Sequence, residues 1–209
     1  MKIFIMGLTP FAHNRGVSAM VSTVIREIKD EYPECEIVIW GGIPEPDLPR
    51  STSRECDKHK SSIKYVKSKW DLSFYRQLFW MPIRVLSIFS WKKDPVVKEL
   101  MESDIVLSFN YGDIFSDVHS FRNIATIVRN ILPILGRKRI VFAPQTIGPF
   151  KRKSFESIAK WILNNSHVKI IMPRDPIGHK WLKSNIRNQE KIVFCPDMAF
   201  LLNLLRFQQ

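Results

Sequence analysis

The sequence predicts an open, doubly wound α/β fold: a parallel sheet with helices on both faces. Short apolar runs ending in glycine or polar residues alternate with stretches whose apolar positions recur at helical spacing. The first forty residues already read strand–helix–strand, the repeating unit of a parallel sheet. The alternation then continues to the end of the chain.

Ile3–Gly7 is a buried first strand closed by a glycine. After a loop, Val17, Met20, Val21, Val24, Ile25 and Ile28 fall on one helical face. Cys35–Trp40 is the second strand, closed by Gly41-Gly42, and Ile63–Val66 is a short third. Leu72–Trp91 is apolar almost all round and reads as a helix kinked at Pro82. Ile105–Phe109 is a strong strand. Ile124, Ile127, Val128, Ile131, Leu132 and Leu135 repeat the helical face, with Pro133 disturbing its last turn. Ile140–Ala143 is a strand, Phe155–Leu163 a helix, Val168–Met172 a strand, Pro176–Leu182 a helix and Ile192–Cys195 a final strand.

The 209 residues suffice for one α/β domain with a sizeable core. Three cysteines without paired spacing argue against a disulfide framework or a zinc site, and five scattered histidines add no metal-ligand pattern, so no metal is expected. A reducing, cytoplasmic setting fits this cysteine usage. No run approaches the roughly eighteen apolar residues of a spanning helix. The net charge of +12 is unevenly spread: residues 50–93 carry 11 basic and 3 acidic side chains, whereas residues 1–49 carry 4 and 7. Such a bias favours an anionic partner. Nucleic acid is disfavoured, because no binding motif is present and the aromatics lie in apolar runs rather than among the basic residues.

Ligands of such sheets bind beyond the carboxyl ends of the strands, so the residues following each apolar run are the candidates. His13-Asn14-Arg15-Gly16 opens the first helix; N–H groups at a helix start attract anions, glycine permits close approach and Arg15 adds charge. Plain capping accounts for this loop equally well. It is not GxGxxG, so the dinucleotide fingerprint fails here. Asn110-Tyr111-Gly112-Asp113 precedes Asp117, and two carboxylates four apart past a strand suit deprotonation of sugar hydroxyls. A capped, solvated turn is the commoner meaning of that spacing. Gln145-Thr146-Ile147-Gly148-Pro149 brings an amide that either meets a hydroxyl-rich ligand or satisfies loop backbone. In Pro173-Arg174-Asp175-Pro176, Asp175 is an N-cap with proline at the first helical position. The Arg174 fork is then available to a carboxylate or phosphate, or pairs with Asp197 or Asp113.

Taken together, these loops resemble the polysaccharide pyruvyl transferase family. The resemblance rests on Asn14-Arg15-Gly16-Val17-Ser18-Ala19, Tyr111-Gly112-Asp113-Ile114-Phe115-Ser116-Asp117, Gln145-Thr146-Ile147-Gly148-Pro149, Arg174-Asp175 and Pro196-Asp197-Met198-Ala199-Phe200, in that order. It implies two Rossmann-like domains facing across a cleft, as in GT-B glycosyltransferases, with residues 1–209 forming the first. It also implies transfer of pyruvate from phosphoenolpyruvate onto two hydroxyls of one sugar, giving a cyclic ketal, with no further cofactor. Protonation of the enol carbon creates a cation at C2, hydroxyls attack it and phosphate leaves. That chemistry requires a general acid, arginines for the donor's two anionic groups and acceptors for the hydroxyl protons.

On this resemblance Arg174 is the donor-binding arginine and Asp113 the catalytic carboxylate. Asn14, Arg15, Gly16, Asp117, Gln145 and Asp197 are expected to contact substrate. The family's second domain supplies a histidine and a further arginine, and no room for it follows Leu205. The chain is thus expected to be a fragment or a degenerate member, inactive alone. The implied partners are phosphoenolpyruvate and a glycan acceptor of surface or exopolysaccharide synthesis, free or lipid-linked. Residues 50–93 then have two readings: a core helix, the commoner fate of a run like Leu78–Trp91, or peripheral contact with anionic lipid at the inner face of the membrane. Two other functions stay open: a non-catalytic binding module of the same fold, and a GT-B glycosyltransferase using a nucleotide sugar.

Overall fold

Alternating side chains on the first strand set the architecture. In β1 (Lys2–Met6), Phe4 and Met6 point into one apolar layer while Ile3 and Ile5 point into another. Both sets are buried, so both faces of the sheet must be covered. The computed structural model describes residues 1–8, 15–40, 62–66, 94–112, 115–117 and 123–201. β1 is followed by α1 (Arg15–Glu31), β2 (Glu36–Trp40), β3 (Ile63–Val66) and α2 (Pro95–Glu102). Then come β4 (Ile105–Ser108), α3 (Asn123–Arg129), α4 (Ile131–Leu135), β5 (Arg139–Gln145), α5 (Lys153–Asn164), β6 (Val168–Pro173) and α6 (Pro176–Asn185). The strands form one parallel sheet in the order β3-β2-β1-β4-β5-β6. The strand order reverses between β1 and β4, and it is beyond the carboxyl ends of the strands at such a point that open α/β sheets bind ligands. The expected doubly wound α/β sheet is therefore present.

The amphipathic face of α1 (Val17, Met20, Val21, Val24, Ile25) packs with Ile3, Ile5, Ile37 and Ile39 on one side. On the other, α2, α3, α4, α5 and α6 cover Phe4, Val38, Val106, Ile140 and Phe142. Asp94 caps α2, accepting from the N–H groups of Val96 and Val97, with Pro95 at the first turn where a missing N–H costs nothing.

Two expectations are corrected. The helix expected to run through Leu135 is broken at Asn130, before Pro133. Pro133 has no N–H to give the carbonyl one turn back, on Arg129, so the ladder fails there. The segment Ile192–Cys195 is not a strand but a single bridge to Ile171, with Val193 and Cys195 donating to the carbonyls of Ile171 and Pro173. The proposed helix at 72–91 lies outside the described residues.

The opposite, amino edge is closed by charge. Lys2 pairs with Glu36, Glu99 and Glu102, and Lys64 also reaches the buried Glu99. Burial by itself would raise the Glu99 carboxyl; hydrogen bonds from Lys2 and Lys64 outweigh it and hold it below its ordinary value. A depressed carboxylate stabilises the fold above its unfolded pKa, about 4.3, and that contribution fades as pH falls through the lower folded value. Glu99→Gln is therefore expected to cost about 1–3 kcal/mol at pH 7. Chemical denaturation at several pH values should show the variant losing less stability below about pH 4.3 than the parent. Parallel pH profiles for the two proteins would contradict this.

Three further lysines turn inward and donate to main-chain carbonyls. Lys29 reaches Pro33 and Cys35, Lys138 reaches Met101 and Ser103, and Lys191 reaches Leu163. Burial lowers the pKa of Lys138 and Lys191. Lys138 and Lys191 thus satisfy carbonyls at the ends of α2 and α5, and Lys29 those of the loop after α1.

Candidate functional site at the carboxyl edge

The loops after β4, β5 and β6 are brought to one place by backbone hydrogen bonds. The N–H of Thr146 donates to the carbonyl of Gly112 at 2.7 Å, and that of Gly148 to Phe115 at 2.9 Å. The N–H of Arg174 donates to Gln145 at 3.2 Å. The N–H of Cys195 on the last segment donates to Pro173, carrying Asp197 along the same rim. Met20 of α1 closes the remaining side, since a Cβ on Gly112 would lie 3.2 Å from its Cε.

Arg174 is the centre of this cluster. Its Nε donates to the Thr146 hydroxyl at 3.1 Å and its Nη1 to the Asp197 carboxylate at 2.5 Å. Its Nη1 lies against the α-carbon of Gly112, where an added Cβ would sit 3.1 Å away. Gly112 has φ +89°, a conformation that glycine adopts freely. The side chains of Arg174 and Asp197 are 23% and 24% exposed, so the pair is fixed by the fold yet open to solvent. Among the described residues no acceptor takes Nη2. An anion approaching that edge would meet a planar donor whose orientation is already set.

The Arg174 loop is anchored from below. Asp175 caps α6 through the N–H of Gly178, with Pro176 in the first turn. Gly178 admits the preceding loop closely, because a Cβ there would come within 3.0 Å of the Ile147 carbonyl. An edge-to-face aromatic series, Phe142, Phe115, Phe150 and Trp181, underlies the Gly148-Pro149 turn and joins β5 to α6.

Gln145 and Asp117, both expected to contact substrate, are buried and hydrogen-bonded within the fold. Gln145 is fully buried; its amide nitrogen donates to the carbonyls of Ser108 and Ala143, and its oxygen accepts from Asn110. Two of those partners are backbone carbonyls at the ends of β4 and β5. Asp117 is also buried, and its two oxygens accept the N–H groups of Lys151 and Arg152 at 2.6 and 2.7 Å, clasping the start of α5. Gly16 is exposed in the first turn of α1, and Arg15 begins that helix. Asn14 and Asp113 lie outside the described residues, although Gly112, the neighbour of Asp113, is within the cluster.

Sequence alone does not mark Thr146, Gly112, Ser108, Asn110 and Asn130 as site residues. Thr146 and Gly112 lie within motifs that it does mark, and the polar step from Phe109 into Asn110 is visible. Asn130 carries no signal, because it interrupts a helical face in the way an exposed residue would. Among the described residues, no three His, Cys, Asp or Glu side chains cluster so as to hold a metal ion. No helix among them is long and apolar enough to cross a membrane.

A family model described as polysaccharide pyruvyl transferase matches residues 14–208. No curated protein matches by sequence. Among solved structures, a UDP-N-acetylglucosamine 2-epimerase is similar with a TM-score of 0.54 and 12% identity, over 95% of this chain and 49% of that one. At that identity the likeness concerns the fold, and the chain spans about half the length of that structure.

Proposed function

Because the chain belongs to the polysaccharide pyruvyl transferase family, we propose that its carboxyl-edge site binds phosphoenolpyruvate as the pyruvate donor, with Arg174 holding one of its two anionic groups. The observation that carries this is the state of Arg174: a part-exposed guanidinium oriented by Thr146 and Asp197 against a glycine. Asp197 then acts as an orienting partner of the arginine. Asp113, one residue beyond Gly112, is proposed as the carboxylate that takes a proton from the attacking sugar hydroxyl. Asn14, Arg15 and Gly16 are proposed to complete the anion site, because the start of a helix favours negative charge.

The donor carries a carboxylate and a phosphate, and one planar fork serves one of them. Full neutralisation therefore needs groups beyond Arg174, and a site open to water weakens each contact it makes. The same chemistry also calls for a proton donor to the enol carbon. The acceptor is proposed to be a surface or exopolysaccharide glycan, free or lipid-linked. Contact of residues 50–93 with anionic lipid rests on their charge alone.

One set of assays tests these proposals. Phosphoenolpyruvate is expected to raise the melting temperature of the chain, whereas a nucleotide sugar is not. No acceptor-dependent phosphate release is expected from the chain alone with free or lipid-linked glycans. The chain should co-sediment with anionic vesicles more than with neutral ones. Protection by the nucleotide sugar instead would favour a glycosyltransferase site, and acceptor-dependent release would show that the chain is complete as a catalyst. Equal sedimentation would remove the lipid contact.

A further inference from the structure

Behind the Arg174 cluster lies a closed set of four polar side chains, each with no solvent exposure: Ser108, Asn110, Asn130 and Gln145. They come from the end of β4, the turn after it, the α3–α4 junction and the end of β5. Asn130 Nδ2 donates to Asn110 Oδ1 at 3.0 Å, and the Ser108 hydroxyl donates to Asn130 Oδ1 at 2.6 Å. Asn110 Nδ2 donates to the Ser108 hydroxyl at 3.0 Å and to Gln145 Oε1 at 2.8 Å. Gln145 Nε2 completes the set on the carbonyls of Ser108 and Ala143.

Burying four such groups is costly unless each finds partners, and an apolar filling of the same space would carry no such cost. The network does something an apolar filling could not. Asn110 is held at φ +46°, in the left-handed region that asparagine enters more readily than most residues. That conformation turns the chain so that the N–H of Gly112 donates to Phe109 and its carbonyl accepts from Thr146. Thr146 in turn orients Arg174 through its hydroxyl, and Gly112 forms the surface against which Nη1 rests. A continuous path of contacts thus runs from Asn130, at the α3–α4 junction, to the guanidinium.

We infer that Asn130, acting through Asn110, is a positioning residue for the Arg174 anion site. The inference rests on the reading of that site as the donor site, but its geometric half can be measured without any ligand. The experiment uses the full chain labelled with ¹⁵N, as Asn130→Ala and as the milder Ser108→Ala, which keeps the test available if the first variant does not fold. Two quantities are read: the Arg174 Nε–Hε resonance with its exchange rate, and the dissociation constant of phosphoenolpyruvate. Both variants are expected to shift that resonance and speed its exchange, while amides of α5 and the amino edge stay at parent values. Phosphoenolpyruvate affinity is expected to fall about tenfold. A variant that melts earlier yet keeps the parent's Arg174 resonance and affinity would overturn the inference and leave the network a purely structural one. A shifted resonance in a protein whose parent form binds no phosphoenolpyruvate would uphold the positioning role and overturn the donor reading.

Discussion

Arg174→Ala is expected to abolish measurable protection by phosphoenolpyruvate while leaving the protein folded. The side chain is part-exposed and its partners, Thr146 and Asp197, lie at the rim, so its removal opens no core cavity. A hydrogen bond to a charged group contributes about 1.5–3 kcal/mol. Losing a two-pronged contact to a phosphate or carboxylate should therefore reduce affinity by at least about tenfold to a hundredfold. Arg174→Lys tests the shape of the contact rather than its charge. Lysine keeps the cation but cannot contact Thr146, Asp197 and an anion with one rigid plane. Its affinity should fall between those of the parent and the alanine variant. Thermal melts across a phosphoenolpyruvate titration give all three values, and equal protection of all three proteins would remove Arg174 from the site.

Gly112→Ala is expected to damage the same site from behind, and to lower stability as well. At φ +89° a side chain is strained, at about 1–3 kcal/mol. The new methyl group would also stand 3.1 Å from Arg174 Nη1 and 3.2 Å from Met20 Cε. Both are ends of flexible side chains, so they can move, and the guanidinium would then leave the position set by Thr146 and Asp197. The melting temperature should drop by about 2–12 °C for a chain of this size. Phosphoenolpyruvate affinity should fall together with it. Unchanged affinity in a destabilised variant would mean that the contact between Gly112 and Arg174 does not matter for binding.

Much of the fold was readable because its physics is local. A strand buried on both faces needs apolar residues at every position, as in Ile3–Met6, and a helix covering it needs them three and four apart, as from Val17 to Ile28. The order of the loops after those strands then placed Gly112, Thr146, Arg174 and Asp197 on one edge, because parallel connections return every strand in the same direction. The Asp175-Pro176 helix start was equally plain.

The remainder depended on contacts distant in sequence. Gln145 and Asp117 have the polarity of ligand-facing residues, and nothing in their neighbours shows that Asn110 or the N–H groups of Lys151 and Arg152 consume that polarity inside the fold. Asn130 lies 20 residues from its partner Asn110. Its role emerges only once α3, α4 and β5 are packed together. The last apolar run, Ile192–Cys195, has the composition of a strand but only a single bridge to β6, because sheet pairing is decided by register with a neighbour rather than by the run itself.

Whether the guanidinium of Arg174 receives the donor's anionic group is reported most directly by its own side-chain resonance. The ¹⁵N-labelled chain is titrated with phosphoenolpyruvate and, separately, with UDP-N-acetylglucosamine, while the Arg174 Nε–Hε signal is followed. We expect a saturable shift with phosphoenolpyruvate that inorganic phosphate competes away, and no shift with the nucleotide sugar. A saturable shift with the nucleotide sugar, and none with phosphoenolpyruvate, would contradict the account.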